Sequence, residues 1–294
     1  MIAAADENVL CNQSMDLDDL MPCNIEEADE RMLLHVNHAA KQFSKHLIKT
    51  VDSDVIVIAV TVFDKLNGVN ELWIEYGKGK TLKYIPIHEI ARSMGDLSSR
   101  AISFFHALSG CDTTSAVAGK GKLSFYHTWS LLPEITTTFD KLGNVTDINE
   151  ITEDDFKTVE RFFVALYSPT LNTEEVNVAR QILFTKGNRS IENIPPTSNC
   201  LQKHIIRSCH QATNWSNALK KQRLYLDPVL WGWRKSGKCF VPMWSDLPQA
   251  SEACRELIRC GCKKTCRGRC KCKKKNDLAC SDLCACSGQC AANN

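Results

Sequence analysis

Cysteine spacing near residue 290 limits what this chain can fold into more than any other feature of its sequence. The stretch CGCKKTCRGRCKCKKKNDLACSDLCACSGQC, residues 260–290, holds nine of the sixteen cysteines in the chain. Six of the nine form three Cys-x-Cys pairs, and single cysteines stand between the pairs and after them. A segment this short and this poor in apolar residues cannot build a hydrophobic core, so it needs covalent cross-links or bound metal to hold a shape.

Zinc fits this pattern better than disulfides do. Nine thiols are an odd number, and the first residues lack the basic and apolar segments of a secretory signal, so we expect a reducing nuclear or cytoplasmic location. Three tetrahedral zinc ions need about twelve bonds to sulfur, which nine thiolates supply if three of them bridge two metals. We therefore expect about three structural Zn²⁺ ions. Their expected ligands are Cys260, Cys262, Cys266, Cys270, Cys272, Cys280, Cys284, Cys286 and Cys290.

These nine positions resemble the CXC domain of tesmin-type proteins and the related pre-SET zinc cluster of histone methyltransferases. The resemblance covers residues 254–294, and it departs from both families. Tesmin-type proteins carry two such units, whereas this sequence has one. A SET domain follows a pre-SET cluster, whereas this sequence stops four residues after Cys290, so no methyltransferase activity is expected. CXC domains bind DNA, and the resemblance implies the same partner here.

The charge of the chain is divided between its two parts. Residues 1–200 carry 18 basic and 28 acidic side chains, whereas residues 201–294 carry 18 and 6. Such a basic run favours contact with the phosphates of nucleic acid, although part of it could instead offset the negative charge of the thiolates. The expected phosphate contacts in this run are Lys263, Lys264, Arg267, Arg269, Lys271, Lys273, Lys274 and Lys275.

Hydrophobic patterns upstream predict an α/β fold. The apolar runs HLIKTV and ELWIEY read as strands, and they alternate with amphipathic helical segments such as NIEEADERMLLHVNHAAKQF. Further along the chain, EDDFKTVERFFVALY reads as an amphipathic helix with an acidic start. We predict a partial parallel sheet flanked by helices, then a helical region and a small cysteine-rich zinc-cluster domain. The predicted division is an acidic tail over 1–22, an α/β region over 23–135, a mainly helical region with a linker over 136–253, and the zinc cluster over 254–294.

Carboxylates stand at three places in the predicted α/β region: Glu27 and Asp29 open a helix, Asp52 and Asp54 follow a strand, and Asp112 follows a Gly-Cys pair. Each has a structural explanation. Acids at a helix start suit the helix dipole, and Asp54 or Asp112 could cap a following helix. Taken together, their order predicts that they meet at one edge of the sheet, because the carboxyl ends of parallel strands lie on one side.

The series E-A-D, D-S-D and G-C-D resembles the second half of the flap-endonuclease-like branch of the PIN nucleases, which has E-A-E, D-x-D and G-C-D. The resemblance covers roughly residues 23–130. It implies that Glu27, Asp29, Asp52, Asp54 and Asp112 bind Mg²⁺ or Mn²⁺ for phosphodiester cleavage.

The family follows G-C-D with a glycine-rich loop that grips the DNA backbone. Here Gly119, Lys120, Gly121 and Lys122 occupy that place. The family's first strand ends in a further aspartate, and no strand is predicted ahead of the acids in MDLDDL. We therefore expect a truncated or degenerate nuclease domain.

Two functions follow from these observations. One is a zinc-dependent, nucleic-acid-binding protein, with DNA as the expected partner, whose nuclease-like body is a scaffold or remnant. The other is an active Mg²⁺- or Mn²⁺-dependent, structure-specific nuclease that the CXC segment directs to DNA. No stretch approaches the roughly eighteen apolar residues of a membrane span, so no membrane partner is expected. The sequence names no protein partner.

The zinc cluster gives the first testable prediction. Native mass spectrometry of the intact chain should show about three zinc ions, because the count of metal–sulfur bonds closes only at that number. Replacing Cys272 by serine should lower this number. A single zinc ion, or the mass loss of disulfides, would contradict the cluster.

Overall fold

The computed structural model describes residues 2–12, 14–185, 193–245 and 284. The helices in these ranges are α1 (Ala28–Ala39), α2 (Ser53–Val62), α3 (Ile87–Met94), α4 (Asp96–Ser109), α5 (Lys122–Leu131), α6 (Thr136–Leu142), α7 (Glu153–Tyr167), α8 (Val176–Thr185) and α9 (Ser198–Ser216). The strands are β1 (Ile2–Ala5), β2 (Asn8–Cys11), β3 (Lys45–Thr50), β4 (Glu71–Tyr76), β5 (Lys83–Pro86), β6 (Trp233–Ser236) and β7 (Cys239–Pro242). The predicted α/β class is confirmed.

The central sheet has three strands in the order β3, β4, β5. Strands β3 and β4 are parallel, with Lys45 opposite Glu71, and α2 lies between them in the chain. Strand β5 is antiparallel to β4, so the sheet is mixed rather than parallel as predicted. The reason is the connection over residues 77–82, which is too short for the crossover that a parallel neighbour requires. Gly77 turns the chain there with φ +92°.

Helix α2 holds the sheet to the helices. Its sequence SDVIVIAVTV has no polar face after the first turn, and Val55, Ile58 and Ala59 are fully buried. It contacts α1, α3, α4 and α9. An apolar helix of this kind is stable only in the centre of a core, so only its start reaches the surface.

Residues 2–12 and 14–25 fold, although the sequence predicted an acidic tail with no strand. Strands β1 and β2 form an antiparallel hairpin, separate from the central sheet. Arg31 of α1 is buried against this hairpin, and its guanidinium donates to the carbonyl oxygens of Asp6 at 2.6 Å and Asn8 at 3.0 Å. The apolar residues that the hairpin and the following turn bury are Val9, Leu17, Leu20, Cys23, Ile25 and Leu34.

One hydrophobic core runs across the predicted boundary between residues 135 and 136, joining the sheet to α6–α9. Helix α7 begins with a capping box between Thr152 and Asp155, where the acidic start of EDDFKTVERFFVALY predicted it. The region is not entirely helical, because β6 and β7 form a hairpin after α9. Contacts group the chain into a unit that ends at Trp244 and a second unit over residues 245–294. The predicted boundary at 253/254 lies outside the described residues.

Among the helices that the structure describes, none is both long enough and apolar enough to cross a bilayer.

The aromatic core gives a stability prediction. Phe162 is fully buried, and its ring packs against Phe125, Phe139 and Phe163. Phe162→Ala should lower the free energy of unfolding by about 3–5 kcal/mol, because it leaves a cavity. Phe43→Ala is the control, since Phe43 is 61% exposed, and it should change the free energy by no more than about 0.5 kcal/mol. Urea denaturation measures both, and equal effects would contradict the packing described.

Candidate functional site

The five predicted carboxylates share one open pocket of about 430 Å³, the acidic pocket. Three separate chain segments bring them there. Glu27 and Asp29 stand at the start of α1, Asp52 and Asp54 at the start of α2, and Asp112 follows α4. The expected convergence at the carboxyl end of β3 is therefore present in the structure, although the sheet is only partly parallel.

The turn from β3 into α2 fixes the first two carboxylates. Asp52, rather than Asp54, is the N-cap of α2, and its Oδ1 accepts the backbone N–H of Asp54 at 2.8 Å. The backbone N–H of Asp52 donates to Oγ1 of Thr50 at 3.0 Å. Because these bonds hold the backbone on both sides of Asp52, its position at the pocket is set by local structure.

Asp54 is held from the inside of the protein by His106. Oδ1 of Asp54 lies 2.9 Å from Nε2 of His106, which is on α4 and 6% exposed. The imidazole also meets the edge of the Trp215 ring, with centroids 5.7 Å apart. Sequence analysis missed His106, because 52 residues separate it from Asp54 and only the packing of α2 on α4 joins them.

The pKa of Asp29 reflects how close the other carboxylates lie to it. Burial raises the pKa of Asp29 above its ordinary value, and the negative charges of Asp52, Glu27, Asp54 and Asp112 raise it further. Like charges that share a site disfavour the ionised form. Negative charge is therefore concentrated in the pocket, and a bound cation would reduce the repulsion between the carboxylates.

The loop after α4 carries Asp112 on a constrained backbone. Gly110 has φ +105°, and a Cβ there would lie 2.9 Å from Cα of Ala116. Nζ of Lys122 donates to the carbonyl oxygen of Gly110 at 2.6 Å, and burial lowers the pKa of Lys122. Oγ1 of Thr114 donates to the carbonyl oxygen of Ala107 at 2.6 Å. The backbone conformation and the close contact at residue 110 therefore require glycine in the Gly-Cys-Asp motif.

The predicted phosphate loop, Gly119 to Lys122, leads into α5, with Gly121 as the N-cap and Lys122 as the first residue of the helix. Its four residues do not line the acidic pocket. Nζ of Lys122 is engaged by Gly110 as described, and Nζ of Lys120 lies 5.1 Å from the centroid of the Tyr167 ring. Phosphate binding by this loop stays a prediction, and it would compete with these contacts.

Residues that the sequence did not single out form the other wall of the pocket. Arg223 is the only Lys or Arg among the described lining residues. It forms an ion pair with Glu30, which is 3% exposed, and its Nη1 donates to the carbonyl oxygen of Asn214 at 3.1 Å. Burial raises the pKa of Glu30, and the guanidinium of Arg223 opposes that shift. Gln211, Asn214 and Tyr225 complete this wall.

Oxygen donors of this kind suit Mg²⁺ or Mn²⁺. Within the described ranges, however, no three His, Cys, Asp or Glu side chains stand close enough together to hold a metal ion as they are. The carboxylates thus share a pocket without forming a finished coordination shell, and the mutual repulsion seen at Asp29 acts to keep them apart.

The predicted zinc ligands other than Cys284 lie outside the described residues, as do all the basic side chains predicted from Lys263 to Lys275. Cys284 is described and is buried.

Comparison with known proteins adds no relative, since no protein family, no curated protein and no solved structure matches this chain. The zinc-cluster and nuclease resemblances rest on the quoted motifs.

The raised pKa of Asp29 gives a prediction about stability and pH. In the presence of EDTA at pH 7, Asp29→Asn should stabilise the protein, because it removes one of the repelling charges. The gain should stay below about 1 kcal/mol, since Asp29 is partly solvated. It should shrink as the pH falls through the raised pKa of the folded state and vanish below the ordinary pKa of 3.8, where the carboxyl is protonated in both the folded and the unfolded state.

Asp154→Asn is the matched control, because Asp154 also lies in the first turn of a helix, α7. It should be neutral or slightly destabilising, since a carboxylate there interacts favourably with the helix dipole. Urea midpoints at several pH values measure both variants. Destabilisation by Asp29→Asn at pH 7 would show that Asp29 is not under repulsion.

Proposed function

We propose that this protein acts on nucleic acid through a divalent-cation site in the acidic pocket. The observation that carries the proposal is the meeting of five carboxylates, from three chain segments, in one pocket where burial and the other four charges raise the pKa of Asp29. Surface carboxylates that share no ligand have no reason to lie in one pocket, whereas a site for Mg²⁺ or Mn²⁺ requires several oxygen ligands in one place. The order of the motifs along the chain supports the same proposal through the nuclease resemblance.

The chain's own residues would divide the work as follows. Glu27, Asp29, Asp52, Asp54 and Asp112 hold the cation. A bound Mg²⁺ or Mn²⁺ supplies an activated water and neutralises charge on a phosphodiester. His106 keeps the carboxylate of Asp54 turned towards the pocket. Arg223 places a positive charge in the same pocket, where its pairing with Glu30 holds the guanidinium in position.

The zinc-cluster segment would supply affinity for nucleic acid. Its predicted cysteines fix a small metal core, and its basic side chains surround that core in the sequence. Phosphate contacts of this kind give binding that is largely independent of base sequence. Under this proposal the segment brings DNA to the protein, and the acidic pocket acts on it.

A second candidate function is a nucleic-acid-binding protein whose pocket no longer cleaves. The absence, in the described ranges, of three carboxylates near enough to share one metal favours it. In this case Mn²⁺ would bind weakly or without turnover, and the α/β body would serve as a scaffold.

Metal binding and cleavage separate the two functions. Electron paramagnetic resonance of Mn²⁺ should show binding to the wild-type protein and loss of it in Asp52→Asn/Asp54→Asn. Mn²⁺ at about 100 times its Kd should stabilise the wild-type protein by about 2.7 kcal/mol. The same double variant should lose Mn²⁺-dependent cleavage of flap, single-stranded or duplex DNA.

Glu174→Gln/Glu175→Gln is the control, since it removes the same charge from exposed positions outside the pocket. It should keep both properties. Binding without cleavage in the wild-type protein would establish the second function, and failure to bind Mn²⁺ at millimolar concentration would overturn the cation site itself.

A further inference from the structure

Two apolar side chains stand exposed at the rim of the acidic pocket. Leu224 is 69% exposed and Tyr225 is 73% exposed, and both line the pocket. We call this pair the stacking platform. Adjacent exposed apolar residues at the mouth of a polar pocket are typical of a recognition surface.

The backbone that carries the platform is fixed on both sides. The backbone N–H of Arg223 donates to Oδ1 of Asn24, and Nδ2 of Asn24 donates to the carbonyl oxygen of Arg223, both at 2.9 Å. The carbonyl oxygen of Leu226 lies 3.1 Å from Nε2 of His210, and Leu226 is buried. The platform is therefore held in place while its side chains face solvent.

The acidic pocket is lined by this apolar pair, by the five carboxylates and by polar side chains. Oγ1 of Thr113 donates to Oε1 of Gln211 at 2.7 Å, and Asn214 lines the same pocket. A nucleotide combines the matching features, namely a flat apolar base with polar edges and a phosphate that the cation of the proposed function would hold against the carboxylates. Aromatic side chains bind bases of any sequence by stacking.

Leu224 also borders the next hollow along the surface, of about 50 Å³, together with Asn217 and Lys220. Lys220 is exposed. A strand that leaves the acidic pocket across Leu224 would thus meet a positive side chain, which suits the next phosphate of the strand.

We propose that Tyr225 stacks on, and Leu224 packs against, an unpaired base next to the phosphate in the acidic pocket, so that the substrate class is single-stranded nucleic acid. This inference rests on the proposed function. Bases in a duplex are stacked on each other, and removing one from the stack costs a few kcal/mol. The platform therefore favours strands whose bases are already unpaired.

Photo-crosslinking tests the platform directly. A single-stranded oligonucleotide carrying 5-iodouracil is bound to the full chain in Ca²⁺, irradiated, and the crosslinked residue is mapped by mass spectrometry. The crosslink should fall on Tyr225. It should persist in Tyr225→Phe and drop about tenfold in Tyr225→Ala, because stacking needs only the ring. A duplex of the same sequence should crosslink several-fold less.

Tyr126→Ala is the control, because Tyr126 is also exposed, at 56%, and does not line the pocket. It should leave the crosslink unchanged. Crosslinks that fall only on residues 246–294, in wild type and Tyr225→Ala alike, would overturn the inference while leaving the proposed function to the Mn²⁺ and cleavage measurements. A dimer that Tyr225→Ala dissociates, with crosslinking unchanged, would overturn it in favour of a contact between two copies.

Discussion

Burial of α2 on all its sides is the constraint on which the rest of the structure depends. That helix buries Val55, Ile58 and Ala59 completely, so only its first turn can reach the surface. That turn carries Asp52 and Asp54. The elements packed around α2 then decide what surrounds them, with α1 bringing its acidic start and α4 bringing both His106 and the loop of Asp112. The acidic pocket is thus a consequence of how one apolar helix is covered.

The carboxylates of the acidic pocket repel one another, and the protein stabilises individual carboxylates through different groups. Burial and then repulsion raise the pKa of Asp29, whereas Asp52 and Asp54 each have one oxygen in a hydrogen bond to the protein. Glu30, deeper in the same pocket, is instead matched by Arg223. An unpaired buried carboxylate costs far more than a partly solvated one. The protein therefore pairs the buried acid with a cationic side chain and leaves the less buried acids facing the open pocket.

Local patterns in the sequence predicted local structure well. The apolar runs gave β3 and β4, and the acidic start and apolar spacing of EDDFKTVERFFVALY gave α7. The order of the acidic motifs also predicted that the five carboxylates meet, and all five line one pocket. What could not be predicted depends on contacts between distant residues. His106 is recognised only through its bond to Asp54, and Arg223 only through Glu30 and Asn24. None of these partners leaves a periodic signal.

The paired hydrogen bonds between Asn24 and Arg223 join segments 199 residues apart. During synthesis the acidic segments leave the ribosome early, but the wall formed by Arg223 and Tyr225 does not exist until almost the whole first unit has emerged. Contacts between residues so far apart in sequence form late in folding, because a long loop must close first. A nascent or prematurely ended chain would carry the acids without the pocket. Any activity of that pocket would consequently arise only in chains that have been synthesised beyond Tyr225.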